Sequence, residues 1–232
     1  MLTANDRSAL TELAPVLRRG VSLDPSVLAR LRLRGSTAGV LVRLPFAVLV
    51  ARTVECPARA DPVDVAVRAA EALAWLDGET DAPPEPRDAD WRTGLPPDSG
   101  WTRIETVPDE VLRPLVRQGA LALKDAAARE GVPGAQPRAE IADALLDSVV
   151  LTVTADSGPC ADAPGSVGAS AHDLGRSAEV TLRTLSALTR MGFLARGGQA
   201  HVDVRGRWTR VVGAYGTVFA ERPGAGLGLT PR

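Results

Sequence analysis

Residues 168–222 read "GASAHDLGRSAEVTLRTLSALTRMGFLARGGQAHVDVRGRWTRVVGAYGTVFAER" and carry the clearest evidence for the fold of the C-terminal part of the chain. Its apolar residues first recur at helical spacing and then alternate with polar ones on both sides of Gly206. The first pattern predicts an amphipathic helix, and the second predicts a β-hairpin. A short third strand, "YGTVFAER", follows closely and would make the end of the chain a meander.

The same order is compatible with a winged helix, in which a recognition helix precedes a two-stranded wing. The recognition helix would be residues 179–194, after a first helix at 139–148, a strand at 149–153 and a second helix at 169–174. Val180 and Thr181 instead favour a strand where that helix should begin, so the state of residues 180–183 stays open. The alternative is an ordinary helix packed on a small sheet.

Four arginines would contact DNA if the C-terminal part of the chain is a winged helix. Two lie seven residues apart on one helix face and two flank the hairpin turn: Arg183, Arg190, Arg205 and Arg207. From residue 174 onward the chain carries nine arginines against three acids, although the formal net charge of the whole chain is −1. This asymmetry is compatible with a polyanionic partner and equally with contact between the two halves of the chain.

Residues 77–100, "DGETDAPPEPRDADWRTGLPPDSG", hold five prolines and many acids, which is typical of a loop or linker. We therefore expect an N-terminal lobe at residues 1–77, a linker at 78–100 and a C-terminal lobe at 101–232. The predicted fold class is α+β, with helices packed on a small, mainly antiparallel sheet in each lobe.

In the N-terminal lobe, residues 5–20 predict a helix, and the branched apolar residues that follow predict two or three antiparallel strands. Residues 63–67 read as a strand feeding a helix that ends near Leu76. This stretch aligns without gaps to part of the C-terminal lobe, 63–76 over 178–191, with four identities. Both stretches would be a strand leading into a helix, and whether they form a true repeat stays open.

Residues 105–134 give the clearest helical pattern, with a single apolar stripe of Leu112, Val116, Ala120, Leu123 and Ala127. Pro114 would remove a hydrogen bond from the interior of one continuous helix. We therefore expect a short turn first and the main helix from about Pro114.

The segments "LRTLSALTRMGFL" (182–194) and "GRWTRVVGAYGTVFAERPGAGLGL" (206–229) resemble the C-terminal part of a group of actinobacterial proteins of unknown function. The shared pattern is a helix ending in "GFL", a Gly-x-Trp-x-Arg strand and a Gly-x-Val-Phe strand. The resemblance implies a pair of domains over the whole chain. It implies no activity, cofactor or catalytic residue.

Catalytic motifs are missing from the sequence: there is no Gly-x-Ser-x-Gly elbow, no phosphate-binding GxxxxGK[ST] loop and no GxGxxG after a strand. His172 and His201 have no second histidine or cysteine at zinc-ligand spacing, so we expect no metal and no cofactor. His172 followed by Asp173 would be a base with its orienting acid, which keeps a small enzyme as the third hypothesis.

The sequence therefore favours a non-enzymatic interaction or regulatory protein, with a DNA-binding regulator as the alternative. No signal peptide and no apolar run long enough for a bilayer is visible, and the two cysteines form no disulfide framework. These features predict a cytoplasmic protein without a membrane partner. The expected partner is another protein, DNA being the alternative, and exposed sheet edges would also allow a homo-oligomer.

Overall fold

A computed structural model describes residues 2–3, 6–45, 47–129, 139–155 and 177–222. The chain divides into two compact units. Unit 1 comprises Met1–Pro96, Ala187–Phe193 and Tyr215–Phe219, and unit 2 comprises Pro97–Ser186, Leu194–Ala214 and Ala220–Arg232.

Unit 1 is built on a long antiparallel pair of strands, β1 (Leu28–Arg43) and β2 (Leu49–Arg68). Alternate residues of β1, such as Leu31 and Leu33, are buried, as expected for a strand with one face on a core. Pairing shifts register on both sides of Gly35, which has a φ of +56°, and so accommodates the prolines of β2. Two predicted pieces, the early strands and the strand at 63–67, thus belong to one hairpin.

The helices of unit 1 are α1 (Asp6–Leu10), α2 (Ala14–Leu23) after a single 3-10 turn, and α3 (Ala69–Leu76). Helices α2 and α3 pack on each other, and Trp75 of α3 is fully buried. Three residues of β8 (Gly216–Glu221), Thr217 to Phe219, pair with β2, and Phe219 lies opposite Leu49. The core of unit 1 therefore lies between the helices and one face of the β1–β2 hairpin.

Unit 2 contains two antiparallel sets of strands. In the first, β6 (Gln199–Arg205) pairs with β3 (Thr102–Pro108) on one side and with β7 (Trp208–Gly213) on the other. Gly206 turns the chain between β6 and β7 with a φ of +52°, a conformation that suits glycine. The second set is the pair β4 (Val149–Thr154) and β5 (Ser177–Thr181).

Helix α4 (Asp109–Arg129) is continuous through Pro114, so the expected interruption is wrong. Asp109 fixes the start of the helix: its backbone N–H donates to the carbonyl of Gly198, and its carboxylate accepts from the backbone N–H of Gly197. Because the first turn is held in this way, the helix tolerates the loss of the one backbone hydrogen bond that Pro114 cannot donate. Helix α5 (Ala139–Leu146) follows and leads into β4.

Helix α6 (Leu182–Arg190) belongs to unit 2 up to Ser186 and to unit 1 from Ala187. Val180 and Thr181 are in β5, where they pair with β4, so the predicted helix from Glu179 begins three residues too early. Side-chain crowding against a preceding helical turn disfavours these β-branched residues in a helix. The amphipathic helix predicted from the apolar spacing is confirmed: the buried residues at this spacing are Leu182, Leu185 and Leu188 of α6 and Met191 directly after it.

The α+β class with antiparallel strands is confirmed. Both aligned stretches are indeed a strand that runs directly into a helix, β2 into α3 and β5 into α6. The predicted second helix at 169–174, with His172 and Asp173, lies outside the described residues. None of the described helices is long and apolar enough to cross a membrane.

Candidate functional site

One face of the β3–β6–β7 sheet in unit 2 is centred on the carboxylate of Asp203, whose side chain is only 2% exposed. Register places Arg103 of β3 directly opposite it on one side and Arg210 of β7 on the other. Arg103 Nε donates to Oδ1 over 3.2 Å, and Arg210 Nε donates to Oδ2 over 2.9 Å. Two arginines therefore share one buried carboxylate, which holds both guanidinium groups in place.

Trp101 fixes Arg210 from a third direction. The guanidinium carbon lies 4.4 Å from the centre of the Trp101 ring, a cation–π geometry. The indole N–H of Trp101 donates to the carbonyl oxygen of Pro97 over 2.9 Å, so the ring is itself anchored. Arg210 is thus ordered by both an ion pair and an aromatic ring.

The two arginines predicted at the hairpin turn lie beside this cluster. Arg205 is two residues from Asp203 on β6 and therefore shares its face of the sheet. Arg207 is 53% exposed, with its Nη2 3.5 Å from Glu221 and its guanidinium 5.7 Å from the ring of Trp208. We call Arg103, Arg205, Arg207 and Arg210 the arginine face of unit 2.

The two arginines predicted on the helix are not brought to this face. Arg183 is buried, and its guanidinium donates to Asp147 over 2.7 Å and lies 3.5 Å from Asp143. It therefore ties α6 to α5 and the residue after it within unit 2. Arg190, at the end of α6, is exposed and belongs to unit 1.

Sequence reasoning missed Arg103, Arg210 and Asp203. The hairpin carried a usable signal, because a turn at Gly206 places Asp203 opposite Arg210 in "VDVRGRWTR". Arg103 gave no such signal, since its partner is 100 residues away in sequence.

Unit 1 has a related cluster on the face of its hairpin that lies opposite the core. Arg30, Arg32 and Arg34 of β1 all contact the carboxylate of Asp64 on β2. Burial favours the protonated acid, but hydrogen bonds from Arg30 and Arg32 outweigh it and lower the pKa of Asp64. The guanidinium of Arg30 also lies 5.9 Å from the ring of Trp91.

A second feature of unit 2 is apolar surface on α4, α5 and β4. No residue of α5 from Glu140 to Leu146 is buried, although five of these seven residues are apolar. Large exposed side chains are found on all three elements: Val111, Leu121, Ile141 and Val149. Leu121 is 59% exposed. Exposed apolar groups on neighbouring elements are a common feature of protein-binding surfaces.

His201 on β6 is the histidine that lies within the described residues. His201 Nδ1 lies 2.9 Å from Thr106 Oγ1, which satisfies that ring nitrogen on the sheet. Within the described ranges no group of three or more histidine, cysteine or acidic side chains could hold a metal ion. The expected pair of His172 and Asp173 remains a prediction.

The fold is similar to that of bacterial sliding clamps. The DNA polymerase sliding clamp of Caulobacter crescentus matches 97% of this chain and 67% of its own length, at a TM-score of 0.52 and 14% identity. The DNA polymerase III subunit beta of Pseudomonas aeruginosa matches over the same fractions of both chains, with a TM-score of 0.53 and 14% identity. The β clamp of Helicobacter pylori matches 93% of this chain and 62% of its own length, with a TM-score of 0.51 and 10% identity.

The chain belongs to the family described as Domain of unknown function (DUF8185), whose model matches residues 96–225. A second model, Domain of unknown function (DUF8010), matches residues 1–93. No curated protein matches the sequence. The expected two-domain protein of unknown function is confirmed, whereas the actinobacterial grouping stays a prediction.

These matches correct the winged-helix prediction for the C-terminal lobe. The similar structures are sliding clamps, and β5 occupies the place where the recognition helix was expected to begin. The hairpin predicted as a wing does form, but its β6 strand also pairs with β3 on the other side. It is therefore an integral part of a sheet rather than a projecting wing.

Proposed function

We propose that the protein is a non-enzymatic interaction protein that uses a clamp-like scaffold to bind another protein. The observation that carries the proposal is the similarity to sliding-clamp folds over 97% of the chain. A regulatory role, a cytoplasmic location and the domain limits 1–77, 78–100 and 101–232 belong to the same proposal.

The surface that best suits a protein partner is the apolar surface of unit 2. A helix as short as α5 derives its stability from packing rather than from intrinsic propensity. Its apolar residues remain incompletely covered, and α5 packs on α4, which exposes Leu121. Covering these side chains would stabilise a complex by about 25 cal/mol for each Å² of apolar area removed from water.

Site-specific photocrosslinking tests this proposal. A benzophenone amino acid is placed at Leu121 or at Ile141 in the full-length protein, and covalent adducts formed in a cell extract are identified. The control position is Arg43, an exposed residue of β1 in unit 1. We expect one defined protein to be crosslinked from positions 121 and 141 but not from 43, and the purified partner to give the same adducts. Identical adducts from all three positions would contradict the proposal.

DNA binding is the second candidate function, and surface arginines favour it. Arg205 and Arg207 lie on the arginine face of unit 2, where Arg207 is exposed and Arg205 is partly exposed, and Arg190 is exposed on the part of α6 that belongs to unit 1. Arg183 is the weakest of the four predicted contacts because two aspartates already engage its guanidinium. A homo-oligomer is compatible with either candidate.

A further inference from the structure

The arginine face of unit 2 carries more positive than negative charge. Among the described residues, two carboxylates contact its four guanidinium groups, those of Asp203 and Glu221. Asp203 is buried and already shared between Arg103 and Arg210. The cluster therefore retains an excess of two positive charges.

Arg205 carries one of these charges. Within the described part of the chain it forms no ion pair, and its guanidinium lies against Gly100, which leaves no room there for a side chain. An ideal Cβ on Gly100 would lie 2.8 Å from the Nη1 atom of Arg205. A guanidinium on a protein surface without an anionic partner is well suited to a carboxylate or a phosphate.

The neighbouring arginines are ordered before any ligand arrives. Asp203 and the Trp101 ring hold Arg210 in place. Asp203 also holds Arg103, whose side chain remains 54% exposed. Ordered side chains lose less conformational entropy on binding, so a preordered arginine binds an anion more tightly than a mobile one. Asp203 is therefore a positioning residue rather than a competing ligand.

We propose that the arginine face binds the phosphate backbone of double-stranded nucleic acid, with Arg205 and Arg207 as the principal contacts and Arg103 beside them. This inference deepens the second candidate function and rests on it. Arg103, Arg205 and Arg210 lie on three adjacent strands and Arg207 lies in the turn between β6 and β7, so the four arginines present charge over an area rather than at one point. A surface of this kind suits several phosphates at once.

The aromatic residues favour a duplex over a single strand. Single-strand binders offer aromatic rings on which bases stack. Here Trp208 is buried and Arg210 covers the ring of Trp101, so neither ring presents an open surface. Binding would therefore be electrostatic and independent of base sequence.

The test measures fluorescence anisotropy of a labelled mixed-sequence duplex titrated with the full-length protein at several salt concentrations. We expect wild-type affinity to fall steeply as salt rises. The double variant Arg205→Gln/Arg207→Gln should bind about tenfold more weakly at low salt, with a salt slope smaller by about two, because each lost phosphate contact removes about one. The matched control is Arg43→Gln, an exposed arginine of unit 1, which should bind like the wild type.

Two results would overturn the inference, and they have different consequences. If the wild type binds but the double variant has the same affinity and slope, DNA binding stands and its site lies elsewhere. If the wild type does not bind even at low salt, the arginine face and the second candidate function both fail. Neither result affects the proposed binding of a protein partner through unit 2.

Discussion

In unit 2, Nε of Arg210 donates to Oδ2 of Asp203 over 2.9 Å, and Nη2 of the same arginine lies 2.8 Å from that oxygen. The two residues face each other across β6 and β7 on either side of the Gly206 turn. Because Asp203 is almost fully buried, its charge depends on arginine contacts for compensation. This pair therefore links the stability of the sheet to the geometry of the arginine face.

Replacing Asp203 with asparagine should destabilise the protein. The variant removes the charge that compensates Arg103 and Arg210, and we expect a loss of about 2 kcal/mol because both arginines can partly regain water. Urea unfolding measures the change. The control is Glu221→Gln, in which the pair with Arg207 is about half exposed and should contribute less than about 1 kcal/mol. Equal stability of the two variants would contradict the role of Asp203.

Replacing Gly119 with alanine should destabilise unit 2. A Cβ at this buried position of α4 would overlap the Cδ1 atom of Leu182, which is itself buried at the start of α6. Overpacking of this kind costs about 1–3 kcal/mol, partly offset by the higher helix propensity of alanine. Thermal unfolding should show a melting temperature lower by several degrees, about 2–4 °C for each kcal/mol.

The neighbouring exposed position Gln118 provides the control for Gly119, since Gln118→Ala adds no atoms to the helix interface. Its melting temperature should remain close to that of the wild type. A Gly119→Ala variant as stable as Gln118→Ala would show that Leu182 can move aside at no cost.

Acid should destabilise unit 1 through Asp64. The hydrogen bonds from Arg30 and Arg32 lower its pKa in the folded protein from the ordinary value of 3.8. The stabilisation is therefore fully present above the ordinary value and is lost as the pH falls through the folded pKa. In unit 2, Asp109 should add to the loss of stability in acid, because Arg113 and the Gly197 N–H lower its pKa despite burial.

Urea unfolding at pH 6 and near pH 3 tests this dependence. Asp64→Asn should lower stability at pH 6 and should reduce the further loss between the two pH values. Asp77→Asn is a suitable control, because the pair of Asp77 with Arg18 is more exposed. An unchanged acid response in Asp64→Asn would contradict the assignment.

The sequence predicted elements whose signals are local. The hairpin around Gly206, the amphipathic helix before it and a helix within residues 105–134 follow from side-chain periodicity and turn residues. The predicted start of the last helix near Pro114 is wrong, and periodicity could not decide between strand and helix at residues 180–183. The length of the β1–β2 hairpin could not be predicted in this way, because Pro57 and Pro62 argue against a continuous strand. The register shifts near Gly35 absorb these prolines, and they depend on pairing with β1.

The candidate sites were harder to predict because they also depend on contacts between residues that are distant in sequence. Arg205 and Arg207 could be singled out because they flank a recognisable turn. Arg183 has the same local pattern of spacing and charge as an exposed arginine, and only packing of α6 near α5 brings it to Asp147. The incompletely buried helix α5 is likewise visible only once its neighbours are placed.

The most direct test of the proposed interaction function is calorimetric titration of the crosslinked partner, once purified, into the wild type and into Leu121→Asp/Ile141→Asp. We predict saturable binding by the wild type with a negative heat-capacity change, the mark of buried apolar surface, and at least about tenfold weaker binding by the variant. Equal affinity of the two proteins, with both folded, would contradict partner binding through the apolar surface of unit 2.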